Sequence, residues 1–115
     1  MIFQPSSISV NEIHLSYLDT KTNQGMPVIF IHGFPFNKFM WENQLEELGT
    51  DYRCIAYDVR GHGDSQPGDV EFSVALFAED LIGFMDALQI EKAIIVGLSM
   101  GGYIVMNAIQ KYANR

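Results

Sequence analysis

One segment limits the fold of this 115-residue chain more than any other: the sequence Gly-Leu-Ser-Met-Gly at positions 97–101, directly after the apolar run at 93–96. A buried strand that passes through such a turn into a helix forces the central residue, Ser99, into a strained backbone conformation. Only small side chains fit two positions before and after that residue, which explains Gly97 and Gly101. The turn is therefore predicted to present the Ser99 hydroxyl over the end of a sheet.

Length and composition predict a single globular domain over residues 1–115. The chain is 48% hydrophobic and 12% aromatic, which is enough for a real core. Its net charge is −7 and its seven basic residues are scattered singly, which disfavours nucleic-acid binding because that requires clustered Lys and Arg. No apolar run approaches the ~20 residues that span a bilayer, and no signal peptide is visible. We therefore expect no membrane association, a cytoplasmic location and, at Cys54, a buried structural thiol.

Hydrophobic patterning predicts an initial hairpin followed by alternating strands and helices. Residues 7–19 alternate like two antiparallel strands with a tight turn at Asn11 and Glu12. Continuous apolar strands, typical of a parallel sheet covered on both faces, are predicted at 27–31, 53–57 and 93–96. Helical spacing predicts three helices, the last apolar on most sides like a central helix, at 36–48, 73–88 and 100–112. The fold class is α/β, with a mostly parallel sheet and helices on both faces after the antiparallel hairpin.

Three motifs fall at the carboxyl ends of the predicted parallel strands, the edge at which open α/β sheets bind ligands. They are His-Gly-Phe-Pro at 32–35, Asp-Val-Arg-Gly-His-Gly-Asp-Ser at 58–65 and Gly-Leu-Ser-Met-Gly-Gly at 97–102. Together they resemble the α/β-hydrolase fold family over nearly the whole chain. The resemblance is strongest to the cofactor-free serine hydrolases typified by 3-oxoadipate enol-lactonase, carboxylesterases and non-haem chloroperoxidases.

The resemblance implies a serine hydrolase that attacks a carboxylic ester or lactone and forms an acyl-enzyme. Ser99 would be the nucleophile, and the backbone N–H groups of Phe34 and Met100 would form the oxyanion hole. Gly33 would let the backbone approach closely, and the helix that begins at Met100 would add the positive end of its dipole. The other interpretation of Ser99 is a helix N-cap, but a cap does not need glycine on both sides.

The three histidines are not interpreted as the general base. The resemblance implies that His32 and His62 order the turns at the strand ends, and that the catalytic histidine follows later in the chain. His14 falls in the N-terminal hairpin and is expected at the surface.

The motif at 58–65 is interpreted as structural. Asp58 with Arg60 is expected to tie down the loop beside the active-site edge, and Asp64 and Ser65 are expected to support it. The sequence shows no metal-ligating cluster and no phosphate-binding glycine loop after the first parallel strand, so we expect no metal and no cofactor.

The residue at the nucleophile position narrows the class. Haloalkane dehalogenases and epoxide hydrolases of this fold carry aspartate there, whereas this sequence has Ser99. The side chains of Phe34, Phe36 and Met100 predict an apolar wall for the substrate, a small ester or lactone whose identity the sequence leaves open.

The groups that would activate Ser99 do not follow it. The family order is Ser, then Asp or Glu, then His, and residues 100–115 contain neither an acidic residue nor a histidine. We therefore expect an N-terminal portion of a longer hydrolase, nearly inactive alone, without the C-terminal strands, the cap and the triad acid and histidine. The strand at 93–96 would then be a sheet edge that pairs with a C-terminal half or with a second copy. The alternative is a non-catalytic scaffold that serves binding or assembly.

Overall fold

The computed structural model describes residues 3–22 and 25–112, which form one mixed sheet with helices on both faces. In chain order the elements are β1 (Ser6–Val10), β2 (Ile13–Asp19), β3 (Val28–Ile31), a short 3-10 helix (Lys38–Trp41), α1 (Glu42–Leu48), β4 (Cys54–Tyr57), α2 (Val74–Ala87), β5 (Ile94–Gly97) and α3 (Met100–Lys111). The predicted alternation of strands and helices is confirmed.

The five strands lie in the order β1-β2-β4-β3-β5. β1 and β2 form the predicted antiparallel hairpin, and β2 continues antiparallel beside β4. β3 lies parallel to both β4 and β5. Parallel strands need long crossover connections. Here α1 connects β3 to β4, and α2 connects β4 to β5. The carboxyl ends of β3, β4 and β5 therefore meet at one edge of the sheet.

The hairpin turn has a backbone that suits its residues. Asn11 and Glu12 lie between the paired residues Val10 and Ile13 and both have positive φ, 48° and 71°. Two-residue hairpin loops favour this conformation because its twist matches that of the flanking strands, and asparagine tolerates it well. The expected turn is therefore in place.

Alternating side chains of the sheet form two separate hydrophobic clusters, one on each face. In β3, Ile29 and Ile31 belong to the larger cluster, which is completed by α2 and α3, including Phe84 and Ile104. The neighbouring Val28 and Phe30 belong to the smaller cluster, which contains Trp41, Leu45 and the buried Cys54. The prediction of strands buried on both faces is confirmed for β3 and β4, whose residues are all buried.

The first helix differs from its prediction over 36–48. Regular α-helix begins only at Glu42, after the 3-10 turn. The Asn37 side chain accepts a hydrogen bond from the Phe39 N–H at 2.9 Å, and the Lys38 N–H donates to Asp58 Oδ1 at 2.7 Å. These two bonds hold the segment against the end of β4, so the chain turns tightly before it can start a regular helix.

The last strand and helix are less buried than predicted. Among the described residues β5 pairs with β3 alone. Its residues are partly or fully exposed, and the Ile94 side chain is 52% exposed. α3 buries one face, through residues such as Ile104, whereas Tyr103 and Met106 on the other side are 65% and 68% exposed. In residues 3–22 and 25–112 no further strand or helix covers this side, which is why the central position expected for α3 is not observed.

Candidate active site

The turn between β5 and α3 has the strained backbone predicted for it. β5 ends at Gly97 and α3 begins at Met100, so only Leu98 and Ser99 lie between them. Ser99 has φ 55° and ψ −111°, a region that residues with a β-carbon avoid. Such a conformation costs about 1–3 kcal/mol and persists only where the surrounding structure imposes it.

The two flanking glycines allow three backbones to meet at this turn. A β-carbon on Gly97 would lie 2.5 Å from the carbonyl carbon of Gly101, and one on Gly101 would overlap the carbonyl oxygen of Ile31. Gly102, in contrast, has room for a side chain, since its nearest neighbour would be the Gly97 oxygen at 3.8 Å. The close packing of β5, α3 and β3 therefore requires Gly97 and Gly101 but not Gly102.

Ser99 occupies the N-cap position of α3 without acting as a cap. Its side chain makes no capping hydrogen bond to the helix, and the residue is exposed. In the part of the chain that the structure describes, no hydrogen bond joins its hydroxyl to His32 or His62. The capping interpretation of this serine is therefore not supported, and the hydroxyl is open to solvent at the sheet edge.

The loop after β3 packs directly against the turn. A β-carbon on Gly33 would lie 3.0 Å from the Leu98 carbonyl oxygen and 3.3 Å from Ser99 Cβ. Phe34 is the residue after Gly33 in the chain, and Met100 is the residue after Ser99. Within residues 3–22 and 25–112 no hydrogen bond engages the N–H of Phe34 or Met100. The structure thus brings together the residues predicted for the nucleophile and the oxyanion hole.

His32 is buried and both of its ring nitrogens are occupied. Its Nδ1 lies 3.0 Å from the Gly33 carbonyl oxygen, and its Nε2 accepts a hydrogen bond from the Val59 N–H at 2.9 Å. Because a carbonyl oxygen only accepts, the proton resides on Nδ1 and the ring is neutral. Burial lowers the pKa of His32 below its usual value. This geometry fits the expected loop-ordering role and leaves no nitrogen for a general base.

His62 also lies in an ordered loop. Its Nδ1 is 3.0 Å from the Arg60 carbonyl oxygen, and its ring meets the Phe34 ring edge-on at 5.7 Å between centroids. Among the described residues its Nε2 has no hydrogen-bond partner. His14 is exposed on β2, as expected.

Asp58 anchors the loop that carries Phe34. Its carboxylate accepts hydrogen bonds from the Lys38 N–H at 2.7 Å, from Lys38 Nζ at 2.6 Å and from the Asp64 N–H at 2.9 Å. The expected joint role of Asp58 and Arg60 is wrong in its detail, because the two side chains bind different partners. The burial of Lys38 could not be predicted from the sequence, since a lysine within a helical pattern usually points to solvent.

Arg60 instead fastens the loop after β4 to α2. Its Nε and Nη2 donate to the two carboxylate oxygens of Asp80 at 2.8 and 2.9 Å, and both side chains are buried. Asn11 of the hairpin turn donates to the same carboxylate at 3.0 Å. Ser65 accepts from the Ser16 N–H at 2.9 Å and donates to a backbone carbonyl oxygen at 2.7 Å. The structural interpretation of the 58–65 motif is therefore confirmed, although Asp80 and Asn11 were not predicted.

Among the described residues, no group of three or more His, Cys, Asp or Glu side chains is arranged to hold a metal ion. None of the helices in residues 3–22 and 25–112 combines the length and the apolar character needed to cross a membrane.

Comparison with known proteins identifies the family. The family model of the alpha/beta hydrolase fold matches residues 26–115, and the chain therefore belongs to that family. It is 42% identical over 80 residues to a non-heme chloroperoxidase of Kitasatospora aureofaciens, covering 69% of this chain and 29% of that protein. It is 38% identical over 104 residues to an epoxide hydrolase of Caballeronia sordidicola, covering 88% of this chain and 31% of that protein.

A solved structure shows the same architecture. The crystallised thermophilic esterase of Thermogutta terrifontis is 37% identical, with a TM-score of 0.85 over 97% of this chain and 42% of that one. The chain spans about a third of the length of the curated relatives it matches, such as the chloroperoxidase at 29% and the epoxide hydrolase at 31%. Both the resemblance and the α/β fold inferred from sequence are confirmed, and the relatives are hydrolases of this family.

Proposed function

We propose that the protein is a serine hydrolase that cleaves a carboxylic ester or lactone, with Ser99 as the nucleophile. The observation that supports this proposal is the strained turn at Ser99, an exposed serine, packed against Gly33, the residue before the proposed oxyanion donor Phe34. A nucleophile so placed needs no further backbone rearrangement to reach a carbonyl carbon, and this preorganisation is the main source of such catalysis.

The reaction proceeds in two steps. Ser99 Oγ attacks the carbonyl carbon, and the N–H groups of Phe34 and Met100 donate to the oxyanion of the tetrahedral intermediate. The C–O bond to the alcohol then breaks, the serine proton passes to that alcohol, and an acyl ester remains on Ser99. Water hydrolyses this ester to release the acid. Neither histidine of the strand-end loops serves as the base in this proposal, because both nitrogens of His32 are engaged and, among the described residues, no hydrogen bond joins His62 to Ser99.

The residue at the nucleophile position favours an ester substrate over an epoxide. Epoxide hydrolases are among the relatives, but the family resemblance places aspartate at their nucleophile position, where this chain has Ser99. An esterase among the similar structures supports the same choice.

The 115-residue chain alone is proposed to turn over very slowly. Oxyanion stabilisation without triad partners leaves at most about 10³–10⁴-fold acceleration, and the described residues supply no base to Ser99. The chain would therefore form the acyl ester slowly with an activated substrate and release it slowly too.

Mapping of acetyl esters tests the proposal. After incubation with p-nitrophenyl acetate, peptide mass spectrometry should find hydroxylamine-labile acetyl predominantly on Ser99 and not on the matched helix-cap serine Ser73. Ser99→Ala should remove that adduct, and Ser73→Ala should leave it. Equal labelling of all exposed serines would contradict the nucleophile assignment, and rapid multiple turnover lost in Ser99→Ala would contradict the proposed inactivity of the chain alone.

The second candidate, a scaffold for assembly, has one observation in its favour. β5 lies at the sheet edge of the described residues. More than half of the side chain is exposed at Ile94 of β5 and at three apolar residues of α3, Tyr103, Met106 and Ile109. Such an edge pairs readily with another strand, and a second copy of this chain is the occupant we propose. Native mass spectrometry should show a dimer that Met106→Glu dissociates, and a stable 13.0 kDa monomer at high concentration would contradict the pairing.

The proposed location is the cytoplasm. The free thiol of Cys54, fully buried in the smaller cluster, suits a reducing compartment. Detection of the protein in a fractionated cell extract checks this, and recovery in the secreted fraction would contradict it.

A further inference from the structure

A cavity of about 430 Å³ opens beside the residues proposed for the oxyanion hole. Phe34 and Met100 line it on the side of Ser99, and the loop after β4 closes the other side. This volume falls in the range of roughly 300–1,000 Å³ that small-molecule sites occupy. A group attached to a carbonyl carbon at Ser99 would therefore have this space within reach.

Half of the ten lining residues carry an aromatic ring. The lining includes Phe34, Phe36, Phe72, Phe77 and the ring of His62. The rings already contact one another at an angle: Phe72 and Phe77 have centroids 5.5 Å apart at 60°, and His62 and Phe77 lie 6.3 Å apart at 84°. Such tilted and edge-to-face arrangements extend naturally to another ring.

Three of these rings are substantially exposed. Phe34 is 70% exposed, Phe36 52% and Phe72 45%. Exposed aromatic side chains that converge on one concavity mark a binding site rather than an ordinary surface. No Asp, Glu, Lys or Arg is among the lining residues, and the His62 imidazole is the one titratable side chain that this lining contains.

The position of Phe72 is set by the backbone. Gly61 has φ 76°, and a β-carbon there would lie 2.5 Å from Phe72 Cζ. The ring thus packs on a stretch of main chain that carries no side chain, which places this wall before any ligand arrives. A preformed wall binds without the entropic cost of ordering.

We propose that this cavity binds an uncharged aryl group of the substrate, so that aryl or arylalkyl esters are preferred over short aliphatic esters and over aryl esters with an added charge. The inference rests on the proposed function for the reaction, but the binding itself does not depend on Ser99 as nucleophile. The aryl group contacts the rings of Phe34, Phe36 and Phe72 while its carbonyl group lies toward Ser99.

Binding of unreactive amides tests this in the Ser99→Ala variant and in the wild-type protein. N-methyl-2-phenylacetamide is the probe, with N-methylacetamide and the 4-carboxy derivative of the phenyl compound as comparisons, and NMR titration gives each dissociation constant. We expect the phenyl amide to bind about tenfold or more tightly than either comparison, because it buries a ring without desolvating a charge. Shifted amide signals should include Gly61, Gly63 and Met100.

The ring of Phe72 supplies the matched variant. Phe72→Ala should weaken binding of the phenyl amide at least about fivefold, whereas Phe39→Ala, a similarly exposed phenylalanine outside the cavity lining, should leave it unchanged. Circular dichroism of both variants confirms that the fold is retained. Equal binding of the phenyl amide and N-methylacetamide, or an unchanged constant in Phe72→Ala, would overturn the inference.

The two proposals fail separately. If the phenyl amide binds as expected but no ester forms on Ser99, the aryl site stands and the reaction is wrong. If Ser99 is acylated but the phenyl ring adds no affinity, the reaction stands and the aryl site is wrong.

Discussion

Lys38 Nζ lies 2.6 Å from Asp58 Oδ2, and both side chains are buried below the loop that carries Phe34. The Lys38 N–H also donates to the other oxygen of the same carboxylate. At the opposite end of the loop, His32 accepts a hydrogen bond from Val59, the neighbour of Asp58. Two consecutive residues after β4 therefore hold both ends of the loop proposed to donate to the oxyanion.

Removal of the Asp58 charge should destabilise the fold strongly. Asp58→Asn removes the buried carboxylate that faces the Lys38 ammonium and leaves it only the exposed Asp64 carboxylate, and breaking a buried pair in this way costs about 3–5 kcal/mol. Asp64→Asn is the matched control, because Asp64 also contacts Lys38 Nζ, at 3.0 Å, but its side chain is 71% exposed. Loss of the Asp64 charge should lower the free energy of unfolding by no more than about 1 kcal/mol. Urea denaturation measures both, and similar losses in the two variants would show that burial does not determine the energy of this pair.

Alanine at two adjacent glycines should have opposite effects. Gly101→Ala places a β-carbon against the Ile31 carbonyl oxygen, and such overpacking costs about 1–3 kcal/mol or more. Gly102→Ala meets nothing closer than 3.8 Å and lies in the first turn of α3. Alanine there should stabilise by up to about 1 kcal/mol, because it is the better helix former. Equilibrium unfolding of both variants is the measurement, and equal stability would argue against the tight turn.

The stability of folding should depend on pH through His32. Burial lowers the pKa of His32 in the folded protein, helped by the nearby His62 and opposed by the Gly33 carbonyl and Asp58. The unfolded chain therefore takes up a proton near pH 6.5 that the folded chain does not. The contribution of His32 is fully present above that pH and is lost as the pH falls toward the lowered folded value, by at most about 1.4 kcal/mol per pH unit.

Urea denaturation at about pH 7.5 and about pH 5.5 measures this dependence. His32→Gln should lose less stability between the two values than the wild-type protein does, since glutamine does not titrate. The exposed His14 provides the control, and His14→Gln should follow the wild type. A His32→Gln variant with the full wild-type dependence would place the titration elsewhere.

Local signals predicted much of the fold and of the candidate site. The glycines around Ser99 and the turn at Asn11 have short-range steric causes, so the strand, turn and helix could be read from neighbouring residues. Lys38 could not, because its burial depends on Asp58, which lies twenty residues later in the chain. The same holds for Phe72, whose place in the cavity depends on its packing against Gly61.

The exposure of β5 also could not be predicted from the local hydrophobic pattern. The apolar run at 93–96 carries the composition of an internal strand, yet β5 has a neighbour on one side only in the described residues. Composition reports what a strand is suited to pack against, whereas exposure depends on which elements are present to cover it.

The most direct test of the central claim compares two serine-to-cysteine variants. Ser99 and Ser73 both stand at helix N-caps, so helix dipoles act on a thiol at either site, but only Ser99 adjoins the proposed oxyanion donors. A thiolate needs no general base, and the native Cys54 is fully buried. The measurement is the first-turnover release of p-nitrophenol from p-nitrophenyl acetate, normalised to the thiolate fraction of each variant.

The account predicts that Ser99→Cys releases one equivalent about 10²-fold faster than Ser73→Cys, the factor that a single oxyanion donor typically supplies. Equal rates in the two variants would contradict it, because they would mean that the turn after β5 presents an exposed side chain and nothing more.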